Sequence, residues 1–144
     1  MLNADQKAFS LNDIERPLLI EFWATWCSPC VPAMSKLEDF QRIYASQLDI
    51  ITVSTDSKSN LIRYIDNTRT SLKIAFDTTH HNIFNYQNIP HAVLIDKNGI
   101  TKAITTPDKI TADIINDLIA GKDIIIDEAK IEVATNLALS LIHI

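Results

Sequence analysis

The chain has 144 residues, of which 47% are hydrophobic and 22% are charged, and a formal net charge of −5 at pH 7. This length fits one domain with a sizeable core, and the negative charge without any Lys/Arg cluster argues against a nucleic-acid partner. No run is apolar enough for a membrane span, and the first twenty residues show no basic segment followed by an apolar core, so no signal peptide is visible.

Short apolar strands alternate with helical patterns along the chain. Strands are predicted over residues 18–24, 49–54, 73–76, 91–96 and 100–104, and helices from the cysteine pair to about Ser46, around 61–65, around 83–86, and from Thr106 to Gly121. The first two strands are expected to be parallel, joined by a helical crossover. Lys97-Asn98-Gly99 predicts a hairpin turn, because Asn-Gly readily adopts positive φ.

The only two cysteines, Cys27 and Cys30, lie between the first strand and the helix that follows it, in the motif Cys-Ser-Pro-Cys. Backbone N–H groups at a helix start have no intrahelical partners, and the helix dipole adds partial positive charge there. We therefore expect Cys27, near the first turn, to have a lowered pKa. Cys30, about one turn further on, can close a small disulfide ring, so the pair is predicted to cycle between dithiol and disulfide.

Two other interpretations of the cysteine pair fit less well. Zinc usually takes four ligands, but His80 and His81 are adjacent, His91 is isolated, and no second cysteine pair exists. A purely structural disulfide is also disfavoured, because a bridge over two intervening residues closes too short a loop to restrict the unfolded chain much.

Residues 22–32, Phe-Trp-Ala-Thr-Trp-Cys-Ser-Pro-Cys-Val-Pro, closely resemble the active-site segment of the thioredoxin superfamily, and look most like its TlpA/ResA-like thiol–disulfide oxidoreductases. Residues 88–99 are similar to the cis-proline strand and hairpin of that family. The resemblance implies a thioredoxin-like α/β fold, with a mixed central β-sheet flanked by helices on both faces. We expect this domain over residues 1–121, followed by a C-terminal extension of uncertain structure at 122–144.

The resemblance also implies roles for four residues. Cys27 is the attacking thiol and Cys30 the resolving one, and their redox-active disulfide needs no further cofactor and no metal. Glu21 takes the place of the buried acid behind the disulfide of thioredoxins, where burial would raise its pKa and suit it to accept a proton. The alternative places the Glu21 carboxylate in water. Pro90 takes the place of the cis-proline that faces the disulfide.

Residues next to these four are expected to contact the substrate: Trp26, Ser28, Pro29, Ile89 and His91. The resemblance implies that the backbone of Ile89 pairs with an extended substrate segment, and Trp26 is expected to shield one side of the thiols. At His91 the family commonly has Thr. The imidazole of His91 either lies near Cys27 and stabilises its thiolate or, because neighbouring strand residues alternate faces, points away.

These patterns predict a thiol–disulfide oxidoreductase, reducing in direction, with protein disulfides as substrates and a thiol electron donor as partner. One alternative is a Cu(I)-binding module, which needs a histidine beside Cys27 and Cys30; another is an interaction domain of a longer protein. The resembled family works mostly outside the cytoplasm. We therefore expect a location in the periplasm or cell envelope and a targeting segment absent from this chain, with a cytosolic protein as the alternative.

Overall fold

The computed structural model describes residues 10–77 and 88–126. Within these ranges it contains the strands β1 (Leu18–Trp23), β2 (Asp49–Ser54), β3 (Lys73–Phe76), β4 (His91–Ile95) and β5 (Thr101–Thr105), the helices α1 (Cys30–Tyr44), α2 (Lys58–Thr68) and α3 (Ala112–Ile119), and two 3₁₀ turns at Leu11–Asp13 and Pro107–Lys109. The helix expected around 83–86 and the segment 127–144 lie outside the described residues.

The strands form one mixed sheet in the order β3-β2-β1-β4-β5. β1 pairs in parallel with β2, and β2 with β3, whereas β4 is antiparallel to both β1 and β5. The predicted parallel pairing of the first two strands is confirmed, and so is the hairpin turn, where Gly99 has a φ of 81°. β1 is the central strand and all six of its residues are buried, as its apolar sequence predicts.

The two faces of the sheet pack into two separate hydrophobic clusters. Leu19 and Trp23 of β1 join the first cluster, which includes the cysteines and the buried side chains of α1, α2 and α3. Phe22, which alternates with them, joins the second, where Ile14 and Ile104 pack from the edges. The described helices therefore all cover one face, whereas the prediction places helices on both faces; the helix expected around 83–86 lies outside the described residues. Ile124 is buried in the first cluster, so the described chain stays packed on the domain beyond Gly121.

Two predicted helix boundaries are wrong. α1 begins at Cys30 rather than near Cys27, because residues 27–30 form a turn in which the Cys30 N–H donates to the Cys27 carbonyl oxygen at 3.1 Å. The chain from Thr106 to Gly121 is not one helix. Pro107–Lys109 is a separate 3₁₀ turn followed by extended, buried Ile110, and α3 starts after Thr111, whose hydroxyl oxygen accepts from the Ile114 N–H.

Candidate active site

Cys27 and Cys30 are joined by a disulfide with a Cα–Cα separation of 5.3 Å. Cys27 lies in the turn that links β1 to α1, just before the helix, and Cys30 is the first helical residue. The unpaired N–H groups of the first helical turn are therefore close to the pair. Cys27 is 5% exposed and Cys30 only 1%. Both residues are buried and Cys27 is the slightly more exposed of the two, in the order that the sequence predicts.

A loop from the other half of the sheet faces the disulfide. The Ile89–Pro90 peptide bond is cis, as the resemblance predicts. The Cys27 Sγ lies 3.9 Å from the Ile89 carbonyl oxygen, and the side chains of Ile89 and Pro90 are half-buried. The loop just before β4 therefore places a backbone carbonyl beside the Cys27 sulfur.

A groove with a volume of about 420 Å³ lies beside the motif. Its walls are mostly apolar and come from the start of α1, the cis-proline loop and the segment after β5: Pro29, Pro32, Ala33, Lys36, Asn88, Ile89, Pro90, Thr106, Pro107 and Asp108. Of the expected substrate contacts, Pro29 and Ile89 line this groove and Ser28 is exposed next to it. Trp26 is 75% exposed, so its ring presents an apolar surface to solvent beside the disulfide.

Glu21 is fully buried in the middle of β1. Strand alternation puts it on the same face as Leu19 and Trp23, the face that also packs the two cysteines. Neither carboxyl oxygen has a hydrogen-bond partner among the described residues. Burial raises the pKa of Glu21 to about 9, although the Lys36 ammonium group lowers it in part. The alternative of a Glu21 carboxylate in water is therefore wrong.

Lys36 is a residue near the site that the sequence analysis did not single out. Its Nζ donates to the Pro107 carbonyl oxygen at 2.7 Å and lies 5.8 Å from the centroid of the Phe40 ring. Burial lowers the pKa of Lys36, while the nearby carboxylate of Asp108 and the Glu21 carboxyl oppose that effect. Lys36 lies on α1 one helical turn after the buried Ala33, next to the side of the helix that packs on the sheet. This position is the signal that could have identified it as a residue near the site.

Asp56 is a second residue that the sequence analysis missed. It accepts hydrogen bonds from the Thr25 N–H at 3.0 Å and from the Thr25 hydroxyl, and from the Ser57 N–H and Asn60 side-chain amide at 3.1 Å each. Partial burial opposes its charge, but these hydrogen bonds outweigh that effect and hold the pKa of Asp56 below its ordinary value. Its position just after β2, at the carboxyl edge of two parallel strands, is a signal for this role.

His91 lies on the face of the sheet away from the disulfide. Its ring centroid is 6.4 Å from that of Phe22, in the second cluster, whereas the next residue, Ala92, belongs to the cluster of the cysteines. Burial lowers the pKa of His91, so the imidazole is uncharged at neutral pH. Of the two expected orientations, the one away from Cys27 is observed. His91 therefore does not offer the ligand that the Cu(I) alternative needs.

Neither a metal cluster nor a membrane-spanning helix is found over residues 10–77 and 88–126. No three His, Cys, Asp or Glu side chains there are grouped so that they could hold a metal ion. The helices in these ranges are all too short or too polar to span a bilayer.

A family model described as thioredoxin-like matches residues 15–101. The chain belongs to this thioredoxin-like family. It is 30% identical over 101 residues to the thioredoxin-like protein YneN of Bacillus subtilis, covering 66% of this chain and 59% of that protein. It is also 30% identical over 113 residues to the thiol-disulfide oxidoreductase ResA of Geobacillus thermodenitrificans, covering 68% of this chain and 65% of that one. The chain thus spans less than two thirds of either relative.

Solved structures share this thioredoxin-like fold. The pneumococcal exposed lipoprotein thioredoxin Etrx1 from Streptococcus pneumoniae superposes with a TM-score of 0.66 at 17% identity, covering 77% of this chain and 89% of that one. Together with the mixed sheet of five described strands, this likeness confirms the predicted α/β thioredoxin-like fold.

The buried acid should make stability depend on pH. The pKa of Glu21 is about 9 in the folded protein against an ordinary value near 4.5, so the folded state keeps a proton that the unfolded state releases between these values. Stability from this group is full below about pH 4.5 and is lost as the pH rises through about 9. In the disulfide form, Glu21→Gln should therefore melt higher than wild type at pH 9, by on the order of 10–20 °C.

Thermal unfolding followed by circular dichroism at pH 4.5 and pH 9 measures this difference, and Glu15→Gln, at an exposed glutamate, is the matched control. The control should follow the wild type at both pH values. A difference in melting temperature between Glu21→Gln and the wild type that is the same at pH 4.5 and at pH 9 would contradict a raised pKa of Glu21.

Asp56→Ala removes an acceptor shared by two loops. The loss of its charge-assisted hydrogen bonds should lower the free energy of unfolding by about 1–3 kcal/mol, measured by urea denaturation near pH 7. The same substitution at exposed Asp66 in α2 should change stability by no more than about 0.5 kcal/mol. Because the pKa of Asp56 is lowered, its stabilising effect is present above its unfolded pKa and is lost as the pH falls through its folded pKa. Equal changes in the free energy of unfolding for the two substitutions would contradict a role of Asp56 in holding the two loops together.

Proposed function

We propose that the protein is a thiol–disulfide oxidoreductase that reduces protein disulfides. The observation that carries this proposal is the Cys27–Cys30 disulfide at the N-terminal end of α1, with the cis-Pro90 loop 3.9 Å away and a fully buried Glu21 on the same face of the sheet. The names of two relatives support it, since one is a thiol-disulfide oxidoreductase and the other a thioredoxin-like protein.

The first step is attack by the reduced protein on a substrate disulfide. The Cys27 thiolate, favoured by the N–H groups and dipole of α1, attacks one substrate sulfur. A disulfide forms between Cys27 and the substrate, the substrate S–S bond breaks, and the second substrate sulfur leaves as a thiolate that takes a proton from solvent. The slightly greater exposure of Cys27 supports this role, since the attacking sulfur must reach another protein.

The second step releases the substrate. Cys30 gives its proton to the Glu21 carboxylate and attacks the Cys27 Sγ, so the Cys27–Cys30 bond forms and the bond between Cys27 and the substrate breaks. The substrate sulfur leaves as a thiolate and takes a proton from solvent, and Glu21 later returns its proton to solvent. Two electrons pass to the substrate, and a dithiol electron donor later reduces the disulfide again. Because the pKa of Glu21, about 9, is close to the reference value of about 8.5 for a cysteine thiol, the proton transfer costs little free energy.

The surface around the disulfide suits an extended polypeptide. Trp26 and Val31 are 75% and 64% exposed and flank the motif, and the groove continues this apolar surface toward Pro107. The carbonyl group of Ile89 can accept a hydrogen bond from the backbone of a substrate segment that lies across Cys27. These features favour a protein substrate over a small disulfide.

The proposal includes the direction of electron flow and the location. Potentials among related motifs run from about −120 to −270 mV, and a reductase should lie toward the lower end. Equilibration of Cys27 and Cys30 with glutathione redox buffers measures this value, and a potential near −120 mV would reverse the direction.

We expect the protein to work outside the cytoplasm, as the name of the exposed lipoprotein Etrx1 indicates for that protein.

The two cysteines should behave differently when each is replaced. Cys30→Ser should accumulate a covalent complex with a disulfide substrate, visible on a non-reducing gel and reversed by dithiothreitol, because the resolving thiol is missing. Cys27→Ser should trap little. Alkylation of the reduced wild type at mildly acidic pH should label Cys27 first, since a thiolate reacts far faster than a thiol.

The double variant Cys27→Ser/Cys30→Ser is the control for complexes that do not involve the motif. Trapping by Cys27→Ser, with Cys30 labelled first, would reverse the assigned roles. An absence of complexes with either single variant, together with no disulfide reductase activity of the wild type, would overturn the proposed function.

A further inference from the structure

We propose that a buried water molecule over the Ala92 methyl group joins the Glu21 carboxyl to the Thr105 hydroxyl, and that this chain of hydrogen bonds returns the proton of Glu21 to solvent. The inference rests on the proposed function, in which Glu21 takes a proton from Cys30 at each turnover. A proton moves between groups that are within hydrogen-bond reach or joined by a water. A fully buried acid that must release its proton therefore needs such a link to solvent.

The three side chains lie in one row across the sheet. Glu21 of β1 is directly opposite Ala92 of β4, and Ala92 is directly opposite Thr105 of β5. Residues directly opposite each other project from the same face of a sheet, and Ala92 belongs to the cluster that contains the cysteines. Neighbouring strands are about 4.8 Å apart, so about 10 Å separates the main chains of β1 and β5 at this row. A glutamate side chain and one water molecule can span that distance.

Both ends of this row carry buried oxygen atoms that need a partner. Glu21 is fully buried and Thr105 is 6% exposed. Within residues 10–77 and 88–126, neither carboxyl oxygen of Glu21 has a hydrogen-bond partner, and nor does the Thr105 hydroxyl. Buried polar groups in native proteins are nearly all hydrogen-bonded, either to protein or to ordered water. One water between the two side chains would satisfy both, since a buried water typically makes about three hydrogen bonds.

The neighbours of Glu21 favour the side of Ala92 over the other side of the row. There, Thr52 of β2 is directly opposite Glu21, but its hydroxyl already donates to the Lys73 carbonyl oxygen at 3.2 Å. Ala92 ends at a methyl group, which is shorter than the glutamate and threonine side chains on either side of it. The space for a water therefore lies over Ala92, between two oxygen-bearing side chains.

Thr105 connects this row to the groove. It is the last residue of β5, and the next residue, Thr106, lines the groove. A hydroxyl can accept one hydrogen bond while it donates another. In the transfer, Glu21 gives its proton to the water, the water gives one to the Thr105 oxygen, and the Thr105 hydroxyl gives its own to solvent. One proton leaves Glu21, and the water and the hydroxyl each end with the hydrogens that they had.

The charged groups near Glu21 stay in place in the experiments that test this link. Among the described residues, Lys36 of α1 is the charged group that acts on the pKa of Glu21, and Asp108 of the 3₁₀ turn acts on Lys36. A change at Thr105 alters neither of them. A shift in the titration of Glu21 that follows from such a change therefore reports the loss of a hydrogen bond.

The direct test follows the carboxyl carbon of Glu21 by ¹³C NMR during a pH titration of the disulfide form. The signal is identified by its absence in Glu21→Gln. Thr105→Val keeps the shape of the side chain but removes the hydroxyl that anchors the water. Because hydrogen bonds to a carboxylate favour its ionised form, Thr105→Val should move the inflection upward, by on the order of half a unit to one unit. Thr105→Ser, which keeps the hydroxyl, should move it much less.

Thr101→Val is the matched control. Thr101 lies on the same buried side of β5, is 4% exposed, and also has a hydroxyl without a hydrogen-bond partner in the part of the chain that the structure describes. It is paired with Ile95, away from the row of Glu21. Thr101→Val should leave the inflection unchanged. Equal shifts for Thr101→Val and Thr105→Val would reflect a general change in burial and would overturn the link.

A second measurement detects the water itself. In the wild type with labelled alanine methyl groups, cross-relaxation between water and the Ala92 methyl group should be visible by NMR, and Thr105→Val should remove it. The methyl group of Ala103, which is buried in the same cluster, should show no such signal. Ala92→Val, whose larger side chain fills the space, should move the Glu21 inflection in the same direction as Thr105→Val.

A kinetic test connects the link to the chemistry. Stopped-flow measurement of release from a preformed Cys27 mixed disulfide gives the resolving rate as a function of pH. Thr105→Val should shift the rise of this profile to higher pH, and Thr105→Ser should restore it. In a Glu21→Gln background, Thr105→Val should cause no further shift, because the two residues act as one unit.

The outcomes separate this inference from the proposed function. An inflection that Thr105→Val leaves unmoved overturns the role of Thr105. A moved inflection without a water signal at Ala92 indicates a direct hydrogen bond and overturns the water site. A resolving rate that Glu21→Gln leaves unchanged removes Glu21 from the mechanism, and with it the proton path. Trapping by Cys30→Ser tests the oxidoreductase function independently of these results.

Discussion

The central constraint in this protein is the burial of a carboxyl group in the middle strand of the sheet. β1 is covered on both faces and paired on both edges, so the Glu21 carboxyl is shielded from bulk solvent. A carboxyl group there is mainly protonated at neutral pH, and its conjugate base is strong enough to take a proton from a thiol. Elsewhere in the fold a glutamate would be too weak a base for that step, because its pKa would lie several units below that of cysteine.

The two sulfurs lie on the face of the sheet that also buries this carboxyl, and loops at one end of the sheet hold them there. Cys27 stands before α1 and Cys30 opens it, so the helix end acts on both. The loop that carries Cys27 is held from the side by Asp56, through two hydrogen bonds from Thr25. The chain after β5 approaches from the opposite side and is held by Lys36. The site is thus braced by contacts between elements, and each loop is placed by a partner outside itself.

Local sequence patterns predicted the features that depend on neighbouring residues. The apolar run of β1, the cysteine motif and the Asn-Gly turn were confirmed, and the resemblance supplied the cis-proline. The start of α1 was misplaced because the turn before Cys30 uses the same residues as a helical turn. The positions of Lys36 and Asp56 mark them as residues near the site, but their contacts could not be predicted because their partners lie 71 and 31 residues away in the chain. The orientation of His91 follows from its register opposite Phe22, which only the folded sheet sets.

The hydrogen bond from Lys36 to the Pro107 carbonyl oxygen has a consequence for the groove beside the disulfide. It joins α1 to the chain after β5, and both residues line that groove. The contact therefore limits how far these two walls can separate. A groove held in this way keeps its shape before any ligand arrives, so binding there costs less conformational entropy than binding that must first order the walls.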